Sequence, residues 1–478
     1  MRPGKIISYH FSLRIREIYL SFVPVRGGKT EIIMEQLSFS EIASAVGDKC
    51  IGEGYISDVC TDNRLAKSGS LFVAIVGENN DGHKFAPAAV KAGAAAVLVN
   101  HRIENLNAAQ FVVGDTKKAL GNIAHYYLKK LGTKVLAVTG SVGKTTTRNM
   151  AYAAVSAAMP AVKTMKNYNN DIGLPLSVLN QLEKKHKAAV LEMGMNHFGE
   201  IEYLSKIAEP DAAIITNIGM SHIENLGSRE GILKAKMEVC KGLKDNAVLF
   251  LNGDDDLLCH ADTKFKKIYY AIDNKTADYT AENIVLKENS ASFDICYEDK
   301  TVPVNLRVAG KHNVYNALSA FCAAKYFGAD DLQAASALES FEGSDMRMEI
   351  LNKNDYTIIN DCYNASPDSV KAAVSVLANR KEKRKIAVLG DMLEMGDFSA
   401  EAHFETGKFC KENNIDLVLC TGKYGKDIAR GAAECGKWFE NKDMIINFLK
   451  ENGISDCCIL IKASRGMHFE DITQKLMA

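Results

Sequence analysis

The sequence lacks any hydrophobic run long enough to cross a membrane. Its longest stretch without Asp, Glu, Lys or Arg is Asn149–Val162, which contains Pro160 and is shorter than the roughly 20 residues that a spanning helix needs. It also lacks an excess of either charge, because 58 Lys and Arg face 59 Asp and Glu and leave a net charge of −1. From the short uncharged stretch we expect no membrane segment. The balance of positive and negative charge argues against a protein that coats nucleic acid.

Cysteine pairs with metal or redox spacing are also missing. The 12 cysteines include no C-x-x-C pair, so the sequence indicates neither a zinc ribbon nor a thioredoxin-type motif. We expect reduced thiols in the cores of a cytoplasmic protein. Proline is scarce, with 8 residues, and glycine, with 35, is at an ordinary level, so their combined content excludes collagen-like and low-complexity disordered chains.

Residues 1–33 differ from the rest of the chain. They carry basic residues but neither an apolar segment long enough for a signal peptide nor a small-residue cleavage site. We expect a dispensable N-terminal extension, either disordered or lying upstream of a native start at Met34. Gly27–Thr30 imitates part of a phosphate loop, but no strong strand precedes it, and we interpret the match as chance.

Three segments of different patterning follow. Residues 34–133 mix short apolar runs with helical stretches, which predicts a small α/β domain. Residues 134–342 alternate strands and helices regularly, which predicts a parallel sheet covered on both faces, and 278–308 look like an antiparallel appendage to it. Residues 343–478 restart the strand–helix alternation, so we expect another α/β domain there.

The strongest motif is Thr139-Gly-Ser-Val-Gly-Lys-Thr-Thr146, between an apolar strand and a helix. Backbone N–H groups and the helix N-terminus would bind phosphate, Lys144 would neutralise it, and Thr145 would offer its hydroxyl to Mg²⁺. The full pattern G-x-x-x-x-G-K-[ST] requires glycine where Val138 stands. We expect a nucleotide site made by Gly140, Ser141, Val142, Gly143, Lys144, Thr145 and Thr146.

Two further candidates follow the next predicted strands. Glu192 comes directly after Val190-Leu191, and His222 follows the strand Ala212–Ile215. Ligands of such sheets bind where strands end, so the carboxylate and the imidazole could hold a divalent metal beside the phosphate loop. Each could equally be a helix cap or a solvated loop residue.

Loops rich in side-chain amides form a third group of candidates. Lys166–Pro175 is dense in asparagine, and a polar substrate could supply the partners that buried amides require. Asn313 and Asn316 are three residues apart, hence on one helix face, where they could hold a base or a ribose or act as ordinary caps. Polar loops also follow three strands of the last segment, at Asn360–Asp368, Gly390–Gly396 and Ala463–Met467.

Together these segments resemble the Mur ligase family, the ATP-dependent amide ligases of peptidoglycan precursor synthesis. The resemblance covers about residues 36–475 in order. Thr-Gly-x-x-Gly-Lys-Thr marks the wider family, whereas Glu192-Met-Gly, Asp361-Cys-Tyr-Asn-Ala and Gly390-Asp-Met-Leu-Glu-Met-Gly look specific to the member that adds D-alanyl-D-alanine. The departures are Ser141, Ser366 and Met346, which stand where the family usually has Thr, Asn and Gly.

The resemblance implies a reaction and a role for each domain. ATP would activate the carboxylate of UDP-N-acetylmuramoyl-tripeptide as an acyl phosphate, which the amine of D-alanyl-D-alanine attacks. The first domain would bind the UDP-sugar, the central one would be the ATPase, and the last would be a Rossmann-like domain that helps to bind the amine. The implied site residues are Asn313, Arg347 and Asp361 for ATP, Thr61, Asp62, Arg64, Asn169, Asn170, Asn364 and Ser464 for the substrates, and Lys144, Glu192, His222 and Lys236 for catalysis.

Lys236 has a particular role by resemblance. It matches the lysine that Mur ligases carbamylate with CO₂, whereas Lys234 does not. The oxygen-rich carbamate would join Thr145, Glu192 and His222 in holding Mg²⁺, with two ions in all. Without the resemblance, Lys236 would be an ordinary solvated lysine on a helix that starts near Ser228.

Two alternatives remain at this point. One keeps the enzyme class but changes the substrate, to that of another Mur ligase or of folylpolyglutamate synthase. The other is a phosphate-loop regulatory NTPase that switches a partner. It predicts guanine-reading motifs such as Asn-Lys-x-Asp, and it leaves residues 34–133 and the polar strand-end loops unexplained. We expect a cytoplasmic monomer whether the protein adds D-alanyl-D-alanine or is another ligase.

Overall fold

The computed structural model describes residues 34–48, 52–77, 80–353 and 355–478, so the prediction for residues 1–33 lies outside the described residues. In this part of the chain, no helix combines the length and the apolar character that a bilayer crossing requires. Three larger sheets organise it, with four, nine and six strands. This arrangement confirms the predicted three-domain α/β architecture.

The first domain is built on a four-stranded parallel sheet. Its strand order is β3-β4-β5-β6, and β1 and β2 form a separate antiparallel pair. The strands are β1 (Leu37–Ser38), β2 (Tyr55–Ile56), β3 (Asp58–Cys60), β4 (Ser70–Val73), β5 (Ala96–Val99) and β6 (Ala109–Val112). The helices are α1 (Phe39–Val46), α2 (Ala86–Lys91) and α3 (Thr116–Leu131).

The central domain is built on a nine-stranded sheet of order β15-β14-β13-β12-β11-β10-β7-β9-β8. Its strands are β7 (Lys134–Thr139), β8 (Ala161–Lys163), β9 (Ala188–Glu192), β10 (Ala212–Ile215), β11 (Val248–Asn252), β12 (Lys266–Ala271), β13 (Tyr279–Leu286), β14 (Ala291–Tyr297) and β15 (Lys300–Leu306). Its helices are α4 (Lys144–Ser156), α5 (Gly173–Gln181), α6 (Glu200–Ala208), α7 (Ile223–Leu226), α8 (Arg229–Met237), α9 (Lys311–Tyr326) and α10 (Asp331–Glu339).

Strand β7 shows why helices cover both faces of this sheet. Successive side chains of a strand point to opposite faces. Val135 and Ala137 pack into one apolar core, and Leu136 and Val138 pack into another. The predicted appendage is the continuation of the same sheet, because β13 pairs parallel to β12 and then antiparallel to β14.

The third domain has a six-stranded sheet of order β16-β17-β21-β18-β19-β20, in which only β16 pairs antiparallel. Its strands are β16 (Glu349–Lys353), β17 (Tyr356–Asn360), β18 (Arg384–Leu389), β19 (Leu417–Cys420), β20 (Gly436–Trp438) and β21 (Cys457–Lys462). Its helices are α11 (Pro367–Ala378), α12 (Ser399–Glu412), α13 (Gly425–Ala432), α14 (Lys442–Asn452) and α15 (Glu470–Met477).

Candidate functional site

The phosphate loop connects β7 to α4 and is shaped by two glycines with positive φ. Gly140 has φ 143°, and a Cβ atom there would collide with Thr216. Gly143 has φ 86°, and a Cβ atom there would lie 2.7 Å from Oδ1 of Asn316. No side chain caps the start of α4, so its first amide groups are open to an anion.

A cavity of about 910 Å³ opens beside this loop, between the central and third domains. The central domain contributes the phosphate loop and the start of α9, and the third domain contributes the ends of β17 and β21. The predicted site residues that line the cavity are Ser141, Val142, Gly143, Lys144, Thr145, Thr146, Asn169, Glu192, His222, Asn313, Arg347, Asp361 and Asn364.

Glu192, the last residue of β9, is surrounded by donors. The hydroxyl of Thr145 lies 3.0 and 3.2 Å from its two carboxylate oxygens, and Asn169 Nδ2 donates to Oε1 at 2.9 Å. The buried guanidinium of Arg148 approaches Oε2 at 3.1 Å. The structure thus brings together three predicted residues, with Arg148 as a fourth that the sequence reasoning missed.

Two lysines near this carboxylate differ from ordinary surface lysines. Lys144 Nζ donates to the carbonyl oxygens of Gly140 and Ser141 at 2.8 and 3.2 Å, and burial lowers the pKa of its ammonium. Lys236 is fully buried, and its Nζ has no hydrogen-bond partner. Burial, reinforced by the charge of Lys144, lowers the pKa of Lys236 well below 10.5. The expectation of a solvated helix lysine at 236 is therefore wrong.

His222 reaches across the domain boundary. It stands before α7 with φ 64°, and its Nδ1 lies 2.5 Å from Oε2 of Glu394 in the third domain. The contact with His222 and the charge of Lys144 lower the pKa of Glu394, although burial opposes the shift. Among the residues that the structure describes, no three His, Cys, Asp or Glu side chains converge as a metal site.

The two asparagines of α9 lie on one face, as their spacing predicted. Asn316 Nδ2 donates to Asn313 Oδ1 at 3.1 Å, and Thr147 donates to Asn316 Oδ1 at 3.1 Å. Asn313 in turn donates to the carbonyl of Ala309 at 2.7 Å. Both asparagines are buried and line the cavity, so they join α9 to the helix of the phosphate loop.

Arg347 and Asp361 form the opposite wall. The guanidinium of Arg347 stacks on the ring of Tyr363 at 3.8 Å. Asp361 accepts from Met348 N at 3.2 Å and from Lys462 Nζ at 2.5 Å. The sequence reasoning missed Lys462, although a lysine that ends the apolar strand Cys457–Lys462 was a visible signal.

Other predicted residues lie outside this cavity. In the first domain, Asp62 caps a short 3-10 helix and binds Arg64, whose side chain is 72% exposed, with Thr61 just before them. Asn170 accepts from Gly173 N at 2.8 Å and thereby caps α5. Ser464 accepts from Leu393 N at 2.9 Å and is buried.

The sequence Asn-Lys-x-Asp, the guanine-reading pattern that a switch NTPase should carry, occurs at 352–355. Its Asn352 and Lys353 end β16, and Asp355 directly precedes β17, the antiparallel partner of β16 in the third domain. A guanine-reading motif should instead follow a strand of the sheet that carries the phosphate loop. This match does not support the switch alternative.

Comparison with known proteins gives matches along most of the chain. Residues 55–148 match "Mur ligase family, catalytic domain", 138–324 match "Mur ligase middle domain", and 346–465 match "Mur ligase, glutamate ligase domain". The UDP-N-acetylmuramoyl-tripeptide–D-alanyl-D-alanine ligase of Bacillus subtilis is 42% identical, over 88% of this chain and 93% of its own length. The Escherichia coli ligase of the same name is 33% identical, over 93% of this chain and 99% of its own length.

Solved structures agree with the sequence relatives. MurF from Acinetobacter baumannii superimposes with a TM-score of 0.87 at 33% identity, over 93% of this chain and 99% of that one. MurF ligase from Thermotoga maritima in complex with ADP gives a TM-score of 0.80 at 27% identity, over 87% of this chain and 96% of that one. None of these comparisons supports the carbamate expected on Lys236. From the identity and the coverage together, the chain belongs to the Mur ligase family.

Proposed function

We propose that this protein joins D-alanyl-D-alanine to UDP-N-acetylmuramoyl-tripeptide with hydrolysis of ATP to ADP and phosphate. The observation that carries the proposal is the cavity, in which a phosphate loop faces Arg347 and Asp361 of another domain. Relatives that match 88% and 93% of this chain bear the name of that reaction. The ADP in the Thermotoga maritima complex supports ATP as the nucleotide.

The chemistry follows from the need to activate a carboxylate. An oxide is a poor leaving group, so ATP phosphorylates the substrate carboxylate to give an acyl phosphate. The amine then attacks the acyl carbon, a tetrahedral intermediate forms, and phosphate leaves. Two anions must meet in the first step, and Lys144 with the open amide groups of α4 supplies the positive charge that allows it.

The oxygen atoms of Thr145 and Glu192 are suitable ligands for Mg²⁺. Thr145 and Glu192 present oxygen atoms within 3.2 Å of one another, and oxygen ligands suit a hard cation. When bound, the ion would neutralise charge on the transferring phosphoryl group. Thr145 and Glu192 would hold it, and His222, on the same cavity wall, is the candidate for a second ion.

Carbamylation of Lys236 remains a proposal. The buried amine without a hydrogen-bond partner supports it, because carbamylation needs a neutral amine and the pKa of Lys236 is lowered by burial. A carbamate would supply oxygen ligands for a hard cation.

We further propose domain boundaries at 133/134 and 342/343, with the UDP end of the substrate near Thr61, Asp62 and Arg64. Asn169, Asn170, Asn364 and Ser464 are the proposed contacts for the peptide and the amine. The boundaries separate the four-, nine- and six-stranded sheets. A cytoplasmic monomer stays a prediction.

The direct test measures ADP release and ligated product from UDP-N-acetylmuramoyl-tripeptide and ATP, with and without D-alanyl-D-alanine. We expect product only with the dipeptide. Glycine, L-alanine, D-glutamate, L-lysine and diaminopimelate serve as alternative amines, and preference for one of them would favour another ligase of the family. Lys144→Ala is the inactive control, and it should lower kcat by orders of magnitude with little change in Tm.

A further inference from the structure

A chain of hydrogen bonds leads from Glu192 to the linker between the central and third domains. Arg148 is 3% exposed, and its Nη1 lies 3.1 Å from Glu192 Oε2 and 2.6 Å from the carbonyl oxygen of Lys166. A buried guanidinium needs such partners, because desolvation of an unpaired charge costs several kcal/mol. Glu192 and the loop that begins at Lys166 are therefore both anchored to α4 by this one side chain.

The same guanidinium continues the chain in the opposite direction. Nη2 and Nε of Arg148 donate to Oδ1 of Asn149 at 3.0 and 3.3 Å. Nδ2 of Asn149 then donates to Oγ of Ser344 at 3.0 Å. An amide fits this position because its oxygen accepts from a cation while its nitrogen donates to a hydroxyl.

Ser344 belongs to the segment that carries Arg347. The carbonyl of Ser344 accepts from Arg347 N at 3.1 Å, and the two residues form an isolated bridge. Arg347 stacks on Tyr363, and Met348 N donates to Asp361. The conformation of this linker therefore sets where the third-domain wall of the cavity stands relative to the phosphate loop.

We infer that Asn149 is a positioning residue for the ligation reaction. Through Arg148 on one side and Ser344 on the other, it holds the linker against α4, so that Arg347 and Asp361 face the phosphate loop. This inference rests on the proposed ligase function. Its effect should fall on the assembled, closed form of the enzyme rather than on nucleotide binding to the central domain.

Removal of either end of the Asn149–Ser344 hydrogen bond tests this inference. Ser344→Ala should lower kcat about fivefold, which corresponds to about 1 kcal/mol, a usual net value for one hydrogen bond. Asn149→Ala should lower kcat more, because it also removes the acceptor of Arg148. KM for ATP should also rise, because Arg347 and Asp361 are the proposed ATP contacts of the third domain. The double variant should be no worse than Asn149→Ala alone, because that change already removes the contact with Ser344.

Conservative and control variants separate positioning from general damage. Ser344→Thr keeps the hydroxyl and should keep more than half of the wild-type kcat. Ser340→Ala removes a hydroxyl, four residues before Ser344, that donates to the carbonyl of Ala337, and it should leave kcat unchanged. Three outcomes would overturn the inference. They are additive losses of kcat in the double variant, a Ser344→Thr enzyme as impaired as Ser344→Ala, and unchanged kcat in both single variants.

A structural measurement keeps this test independent of the reaction. With a non-hydrolysable ATP analogue and Mg²⁺, small-angle X-ray scattering should give a larger radius of gyration for Ser344→Ala than for the wild type. If the wild type fails to ligate D-alanyl-D-alanine but this difference appears, the proposed function fails while the linker role holds. Equal radii for wild type and Ser344→Ala would refute the linker role.

Discussion

Buried cations are the dominant residue-scale feature of this site. Lys144, Arg148 and Lys236 lie within electrostatic reach of Glu192, and burial lowers the pKa of all three. Low dielectric strengthens each interaction with an anion and raises the cost of each unpaired charge. A site of this kind is prepared for phosphates and carboxylates, which would restore the charge balance when they bind.

The two lysines of α8 should respond differently to substitution. Lys236→Ala should be nearly inactive and should regain activity with added short carboxylates, which can occupy the place of a carbamate. Lys234→Ala should be mild, because that side chain is exposed and its Nζ lies over Phe198 at 5.6 Å. Steady-state rates with and without acetate measure both effects. Greater damage in Lys234→Ala would exclude the carbamate assignment.

Met346 adopts a conformation that favours glycine. It has φ 54° in the linker, at the position where the family usually has glycine. A left-handed conformation costs a residue with a Cβ about 1 kcal/mol, so Met346→Gly should raise the free energy of unfolding by up to about 1 kcal/mol. Urea denaturation measures this. Met444→Gly, the same change within helix α14, should instead lower the free energy of unfolding by up to about 1 kcal/mol. Equal destabilisation by both variants would contradict the argument.

At the scale of elements, helix α1 is fixed by a capping box and by an ion pair. Ser38 and Glu41 cap one another at the helix start, and Lys130 of α3 lies 2.7 Å from Glu41 Oε1. Burial raises the pKa of Glu41, but hydrogen bonds from Lys130 and Ser38 outweigh it and lower the pKa to about 2. The ionised carboxylate therefore joins α1 to α3.

This lowered pKa predicts how stability depends on pH. A carboxyl group whose pKa falls on folding stabilises the protein above its unfolded pKa, near 4.5, and loses this effect as the pH falls toward 2. Glu41→Gln should therefore be less stable than the wild type at pH 7, and the difference should shrink between pH 5 and pH 3. Urea midpoints at each pH measure it. A difference that does not depend on pH would show that the carboxylate charge has no part in it.

At the scale of the whole molecule, the third domain rests on the central one through contacts around the cavity. The Glu394 side chain contacts His222, and the carbonyl oxygen of Glu394 accepts from Glu224 N at 3.2 Å. Asp368 accepts from Met220 N at 3.3 Å. Arg380 Nη1 of the third domain also donates to Asn289 Oδ1 of the central domain at 2.7 Å, and apolar side chains of both domains belong to one core.

A substitution at Gly219 tests how much the contact between this loop and Asp368 of the third domain matters. A Cβ atom at Gly219 would collide with the carboxylate of Asp368 and force it to rotate. Gly219→Ala should lower kcat about fivefold, and Gly219→Ala with Asp368→Ala should be no worse, because the same contact is lost. Gly114→Ala, in open space, is the control. A further loss in the double variant would mean that the collision is not the cause.

Local patterns in the sequence determined the element order and the phosphate loop. The predicted strand Ala212–Ile215 has its observed bounds, because a buried parallel strand is a continuous apolar run. Strands β16 and β20 were not predicted, since partly exposed edge strands have no such run. The short strand β8 was missed for the same lack of a long apolar run.

The tertiary structure alone decided which distant residues meet. Arg148 and Glu192 are 44 positions apart and Asn149 and Ser344 are 195 apart. Nothing in the local pattern of any of them reports the partner. Lys236 shows the same limit, because a helix lysine is solvated or buried according to what packs on it. Periodicity records the face that an element buries, whereas the identity of the opposing side chains depends on how the sheets and domains are assembled.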